Sequence, residues 1–82
     1  MKVLKFYATW CGPCKGMSMM MESMENLPEI ENIDIDQNTE LTAKYGIRSV
    51  PTLIKLDDDG NEIGRYAGGA TDRPAVSSFL EV

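Results

Sequence analysis

The chain carries two cysteines, Cys11 and Cys14, and no histidine. They bracket Gly12-Pro13 and follow Trp10, so both thiols belong to one short turn. Two sulfurs at this spacing can close a disulfide and open it again, exchanging two electrons with a partner's sulfurs. Zinc knuckles and inert structural disulfides share the spacing. A zinc site would lack half of its donors here, because no other cysteine and no histidine is present and carboxylates seldom complete structural sites. The missing histidine also removes Cys–His nucleophilic catalysis. Sulfur redox exchange is the chemistry these residue types support best.

The two sulfurs are not equivalent. Pro13 suits a first helical turn, where its missing N–H costs nothing. Cys11 then lies just before a helix, facing unpaired backbone N–H groups and the positive end of the helix dipole. That setting lowers a thiol's pKa and predicts Cys11 as the attacking sulfur. Cys14, one step deeper, suits the resolving thiol. Gly12 and Pro13 keep the sulfurs within bonding reach, and Trp10 is expected as a partly exposed apolar platform beside Cys11.

The elements that must hold this turn can be read on either side of it. Lys2 to Ala8 reads as a buried strand, with Val3, Leu4, Phe6 and Tyr7 nearly continuous. From Pro13 to about Asn26, Cys14, Met17, Met20, Met21, Met24 and Leu27 recur at helical spacing, and Pro28 is expected to stop that helix. Ile30 to Asp36 predicts a second strand. Asn38 or Thr39 caps a short helix with Leu41 and Tyr45 on one face, ended by Gly46. Val50 to Leu56 predicts a third strand, and Asp57-Asp58-Asp59-Gly60-Asn61 a hairpin with positive φ at Gly60. Glu62 to Ala67 returns as a fourth strand. Thr71 or Asp72 caps a last helix with Pro74 in its first turn and Val76, Phe79 and Leu80 inward. The order βαβαββα implies an α/β fold: a four-stranded mixed sheet with helices on both faces. Its first two strands run parallel through a right-handed crossover.

With 82 residues the chain has room for a single domain, residues 1–82, and one modest core. The charge of −5, from 13 acidic against 8 basic side chains, argues against nucleic acid as a ligand. No apolar run reaches the roughly 18–20 residues of a membrane span, and no secretory signal is evident at Met1-Lys2-Val3-Leu4-Lys5. A cytoplasmic monomer with no membrane partner is the expectation.

Trp10-Cys11-Gly12-Pro13-Cys14 resembles the active-site motif of thioredoxins. Ile35-Asp36-Gln37-Asn38 and the stretch Lys44-Tyr45-Gly46-Ile47-Arg48-Ser49-Val50-Pro51-Thr52 resemble family segments at matching distances, so the similarity covers nearly the whole chain. The resemblance implies a thioredoxin fold and dithiol reduction of disulfides in protein substrates, with no bound cofactor beyond the redox-active disulfide. It implies that Val50-Pro51 is a cis-proline site packed on the disulfide, where the Val50 backbone pairs with an extended substrate. Trp10, Gly12, Pro13, Val50, Pro51 and one of Gly68 or Gly69 would then form the groove. Electrons would come from a thioredoxin reductase or from glutathione. Use as a binding subunit of a larger assembly is the reading from a different class.

Three departures from the family pattern stand out. The catalytic strand begins at residue 2, without the strand and helix that precede it in full-length thioredoxins, so the second strand should be a sheet edge. Its Glu31, Asp34 and Asp36 would discourage edge-to-edge pairing. Lys5 stands where most thioredoxins have a buried aspartate, and Asn32 where they have its lysine partner. Lys5 either lies under the disulfide and favours thiolates or snorkels to solvent. Finally, Gly68-Gly69-Ala70-Thr71-Asp72 resembles the Gly-Gly-x-x-Asp segment with which glutaredoxins hold glutathione, giving a glutaredoxin-like alternative. The methionines of the first helix read as deformable core filling, with Met19 exposed, rather than a copper site. The Asp57-Asp58-Asp59-Gly60 run reads as a solvated hairpin, since it lacks a calcium loop's terminal glutamate.

Overall fold

The computed structural model describes residues 1–67 and 72–80. Its elements are β1 (Lys2–Tyr7), α1 (Gly12–Glu22), β2 (Glu29–Asp34), α2 (Thr39–Lys44), β3 (Thr52–Leu56), β4 (Glu62–Ala67) and α3 (Arg73–Leu80). They form the expected four-stranded mixed sheet, in the order β2-β1-β3-β4. β1 pairs parallel to β2 and antiparallel to β3, and β3 pairs antiparallel to β4.

Alternation along β1 decides what each face holds. Val3 points to one face and joins Met17 and Met21 of α1, Leu53 of β3, and Val76 and Leu80 of α3. Leu4 and Phe6 point to the other, with Ile33, Ile54 and Leu56, against Leu41 and Tyr45 of α2. So α1 and α3 cover one face and α2 the other. Lys5 shares the α1 face with Val3. Across the sheet it lies in one row with Asn32 and Leu53, and Leu53 in turn faces Tyr66.

Several boundaries differ from the expected ones. α1 ends at Glu22, four residues before Asn26, so Pro28 is not what stops it. The Ser23 hydroxyl donates to the Met20 carbonyl at 2.7 Å, and the Ser23 and Met24 N–H groups reach only three residues back. Asn26 then takes a positive φ of 59°. These local bonds satisfy the last carbonyls early and turn the chain out. β2 ends at Asp34 because its carboxylate accepts the Asp36 N–H at 2.9 Å, folding the chain into a turn. Asp36 is therefore not a strand-edge charge. The edge position of β2 itself is as expected, and its Glu31 pairs with Lys2 across the β1 boundary.

Asn38 occupies the N-cap of α2 but makes no side-chain cap; its amide donates to the Asp34 carbonyl instead. Gly46, with φ of 62°, ends that helix as predicted, and Gly60 turns the hairpin with φ of 86°. β3 begins at Thr52 rather than Val50, since Pro51 has no N–H for the ladder. Asp72 accepts the Ala75 N–H at 3.1 Å at the start of α3. Met17 and Met21 are buried in the core and Met19 is exposed, matching the core-filling reading.

Candidate active site

The end of β1, the start of α1 and the segment before β3 meet at the two sulfurs. Ala8, Cys11 and Cys14 form a small buried cluster, with Tyr7, Ile35 and Val50 packed around it. Cys11 and Cys14 are joined in a disulfide, their Cα atoms 5.3 Å apart. Cys11 is the N-cap of α1: its Sγ accepts the Cys14 N–H at 3.1 Å, where serine or aspartate oxygen usually stands. A sulfur held in that position gains from negative charge, because the donor is an otherwise orphaned helix N–H.

Both cysteines are buried while the turn between them is not. Cys11 is 5% exposed and Cys14 2%, while Gly12 and Pro13 between them are exposed. Pro13 sits in the first turn of α1, where no hydrogen bond is lost. The Val50–Pro51 bond is cis, Pro51 is buried, and the Val50 carbonyl oxygen lies 3.7 Å from Cys11 Sγ. Thr52 fixes the approach to β3 by donating its hydroxyl to the Ser49 carbonyl at 2.7 Å.

Trp10 is 69% exposed beside this turn. Its indole Nε1 donates to Asp36 Oδ2 at 3.1 Å, so the ring is held although it faces water. Trp10, Ile35, Ile47, Arg48, Ser49 and Val50 line a depression of about 300 Å³. The sequence alone does not mark Asp36, Ile35 or Ile47 as site residues. Ile35 reads as ordinary strand filling, and no local pattern links Asp36 to an indole 26 positions earlier. Gly68 and Gly69 lie outside the described residues, so the predicted end of the groove is not placed.

Lys5 lies on the α1 face of β1 and is 5% exposed. Its Nζ donates to Ser18 Oγ of α1 and to Asn32 Oδ1 of β2, the latter at 3.2 Å, and lies 5.7 Å from the Tyr7 ring centre. Burial pulls the Lys5 ammonium below the ordinary lysine range, and Glu22 pushes in the opposite direction. Lys5, Tyr7, Ser18, Glu22 and Asn32 line a pocket of about 410 Å³. Among the described residues no group of three metal-ligating side chains is found, and no helix is long and apolar enough to cross a membrane.

Comparison with known proteins agrees with this geometry. Residues 1–81 match the thioredoxin family model. The thioredoxin of Staphylococcus epidermidis is 37% identical over 71 residues, covering 82% of this chain and 67% of that protein. A mutant thioredoxin of Halobacterium salinarum superposes with a TM-score of 0.84 at 33% identity, over 96% of this chain and 70% of its own. The germline-specific thioredoxin Deadhead of Drosophila melanogaster does so with the same TM-score at 36% identity, over 96% and 76%.

Proposed function

Because the chain belongs to the thioredoxin family and is a thiol–disulfide oxidoreductase, we propose that it reduces protein disulfides with Cys11 attacking and Cys14 resolving. The observation that carries this assignment is the Cys14 N–H directed at Cys11 Sγ, because it favours the anion at Cys11 and not at Cys14. In the dithiol state the Cys11 thiolate attacks one sulfur of the substrate disulfide. A mixed disulfide forms and the other substrate sulfur leaves with the electron pair, then takes a proton. Cys14 next gives up its proton and attacks Cys11 Sγ, closing the intramolecular disulfide and releasing the second substrate thiol. A donor dithiol reverses the cycle by the same two displacements.

Trp10, Gly12, Pro13, Val50 and Pro51 form the substrate groove in this reading, with Ile35, Ile47 and Arg48 added to its wall. An extended substrate segment pairs with the Val50 backbone as a short added strand. A thioredoxin reductase is the favoured electron donor over glutathione. The start of α3, where a glutathione carboxylate would be received, already has its Ala75 N–H taken by Asp72. A reducing compartment such as the cytoplasm fits a pair that must return to the dithiol.

Trapping tests the roles. Cys14→Ser should accumulate a mixed disulfide with a disulfide-bonded protein through Cys11, and Cys11→Ser should form none and lose reductase activity. Activity retained in Cys11→Ser, or no adduct with Cys14→Ser, overturns the assignment. Faster turnover with glutathione than with a thioredoxin reductase overturns the donor.

A further inference from the structure

We propose that Lys5 is a positioning residue for the second displacement, its buried ammonium serving as a fixed counter-charge for the Cys14 thiolate. The inference rests on the reading of Cys11 and Cys14 given above and adds a third residue to it. The placement is geometric. Lys5 Nζ donates to Ser18 Oγ, and Ser18 lies one helical turn beyond Cys14 on the same side of α1. Tyr7, whose ring stands 5.7 Å from Nζ, packs against the buried cluster of Ala8, Cys11 and Cys14. The ammonium therefore sits beneath the first two turns of α1, within one turn of the inner sulfur.

Its charge is held but not cancelled. The two acceptors, Ser18 Oγ and Asn32 Oδ1, are neutral dipoles, and among the described residues no carboxylate is within ion-pair distance of Nζ. The groups facing Lys5 are Ser18 and Glu22 from α1, Tyr7 from β1, Asn32 from β2 and Leu53 from β3. Glu22 acts across the pocket and is exposed, so solvent weakens its hold.

The consequence falls on the resolving step. When Cys14 attacks Cys11 Sγ, it must first release a proton to solvent. Cys14 is 2% exposed in the disulfide-bonded structure, so an anion formed at that position gets little stabilisation from bulk water. A fixed positive charge nearby supplies what water cannot. The disulfide is neutral and gains nothing from it.

The test is the Cys14 thiol titration in the reduced protein, followed by its β-carbon chemical shift, in wild type, Lys5→Met and Asn32→Asp. Lys5→Met removes the charge. Asn32→Asp leaves Lys5 in place but sets a carboxylate against it, and because Asn32 is exposed the fold is preserved. Each variant should lower the Cys14 ionisation constant about tenfold. Resolution of a preformed mixed disulfide at neutral pH should slow roughly threefold, since the smaller anion fraction is partly offset by greater nucleophilicity. An unchanged Cys14 titration in Asn32→Asp overturns the proposal whatever becomes of Lys5→Met. If wild type itself reduces no protein disulfide, the assigned function fails instead.

Discussion

The two faces of the sheet are filled by opposite rules. On the α2 face, Leu4, Phe6, Ile33, Ile54 and Leu56 meet Leu41, Tyr45, Ile47 and Val50, all hydrocarbon or aromatic. On the α1 face, Val3, Met17, Met21 and Leu53 share the interior with a buried lysine, which reaches out to half-buried Ser18 and exposed Asn32. Both faces help build the redox site, but differently. The α2 face supplies shape, since Ile35, Ile47 and Val50 form the outer depression beside Trp10. The α1 face supplies a charge beneath the helix that carries Cys14. Among the described residues the one buried charge, Lys5, lies on the α1 face, whereas the buried polar residue opposite Phe6 is Thr52, which is neutral and bonded to the Ser49 carbonyl.

Cutting into the apolar face should give the largest effect. Phe6 is fully buried and packs against the Tyr45 ring at 5.9 Å. Phe6→Ala should cost about 3–5 kcal/mol in urea unfolding, a large part of the roughly 5–15 kcal/mol that typically holds a domain together. At temperatures where the variant stays folded, the thiol titrations should match wild type. Altered titrations would mean that the α2 face reaches the sulfurs by more than shape.

The opposite sign is expected on the other face. Lys5→Met replaces a partly desolvated charge with a side chain suited to a methionine-rich core, and should raise stability by about 1 kcal/mol at neutral pH. The gain is kept modest because the ammonium lines an open pocket and has two hydrogen bonds to lose. The pH dependence follows from the lowered pKa of Lys5 in the folded chain. Between that lowered value and the ordinary one of 10.5, the unfolded chain binds more protons. Wild-type stability from this residue therefore rises with pH through that window, and the advantage of Lys5→Met should shrink. Urea midpoints from pH 7 to 10.5 check it; a gap that widens with pH refutes it.

The division between the faces explains what could be read from the sequence. Strand order, the α2 face and the cysteine turn depend on local patterns: alternation in β1, the Cys-Gly-Pro-Cys spacing, glycines at turns. These survive in one dimension. The end of α1 did not, because Ser23 and Asn26 stop the helix by local hydrogen bonding and backbone conformation, without a proline or glycine to mark it. Lys5 was visible as an oddity in an apolar strand, yet its fate depended on Ser18 and Asn32, which are 13 and 27 positions away. Only their convergence shows that it stays inside. Asp36 had the same difficulty in reverse, reading as an edge charge until the turn after β2 brought it to Trp10.

Asp36 provides the finest test of whether charge matters on one side of the disulfide alone. Its carboxylate is exposed and bonded to the indole of Trp10, the residue next to Cys11, so it is a charge near the site but outside the core. Water and salt screen such a charge more than they screen Lys5, which is buried. Asp36→Asn keeps an acceptor for the indole and removes the charge; it should change thiol titration and kcat/KM for a protein disulfide less than about twofold. Asp36→Ala removes the acceptor as well and frees the ring, so kcat/KM should fall about two- to threefold, the scale of one exposed hydrogen bond, with titrations still unmoved. A shift of the Cys11 titration in Asp36→Asn comparable to that of Cys14 in Lys5→Met would show that the outer charge is as well coupled as the inner one. The contrast between the faces would then be one of packing and not of electrostatic reach.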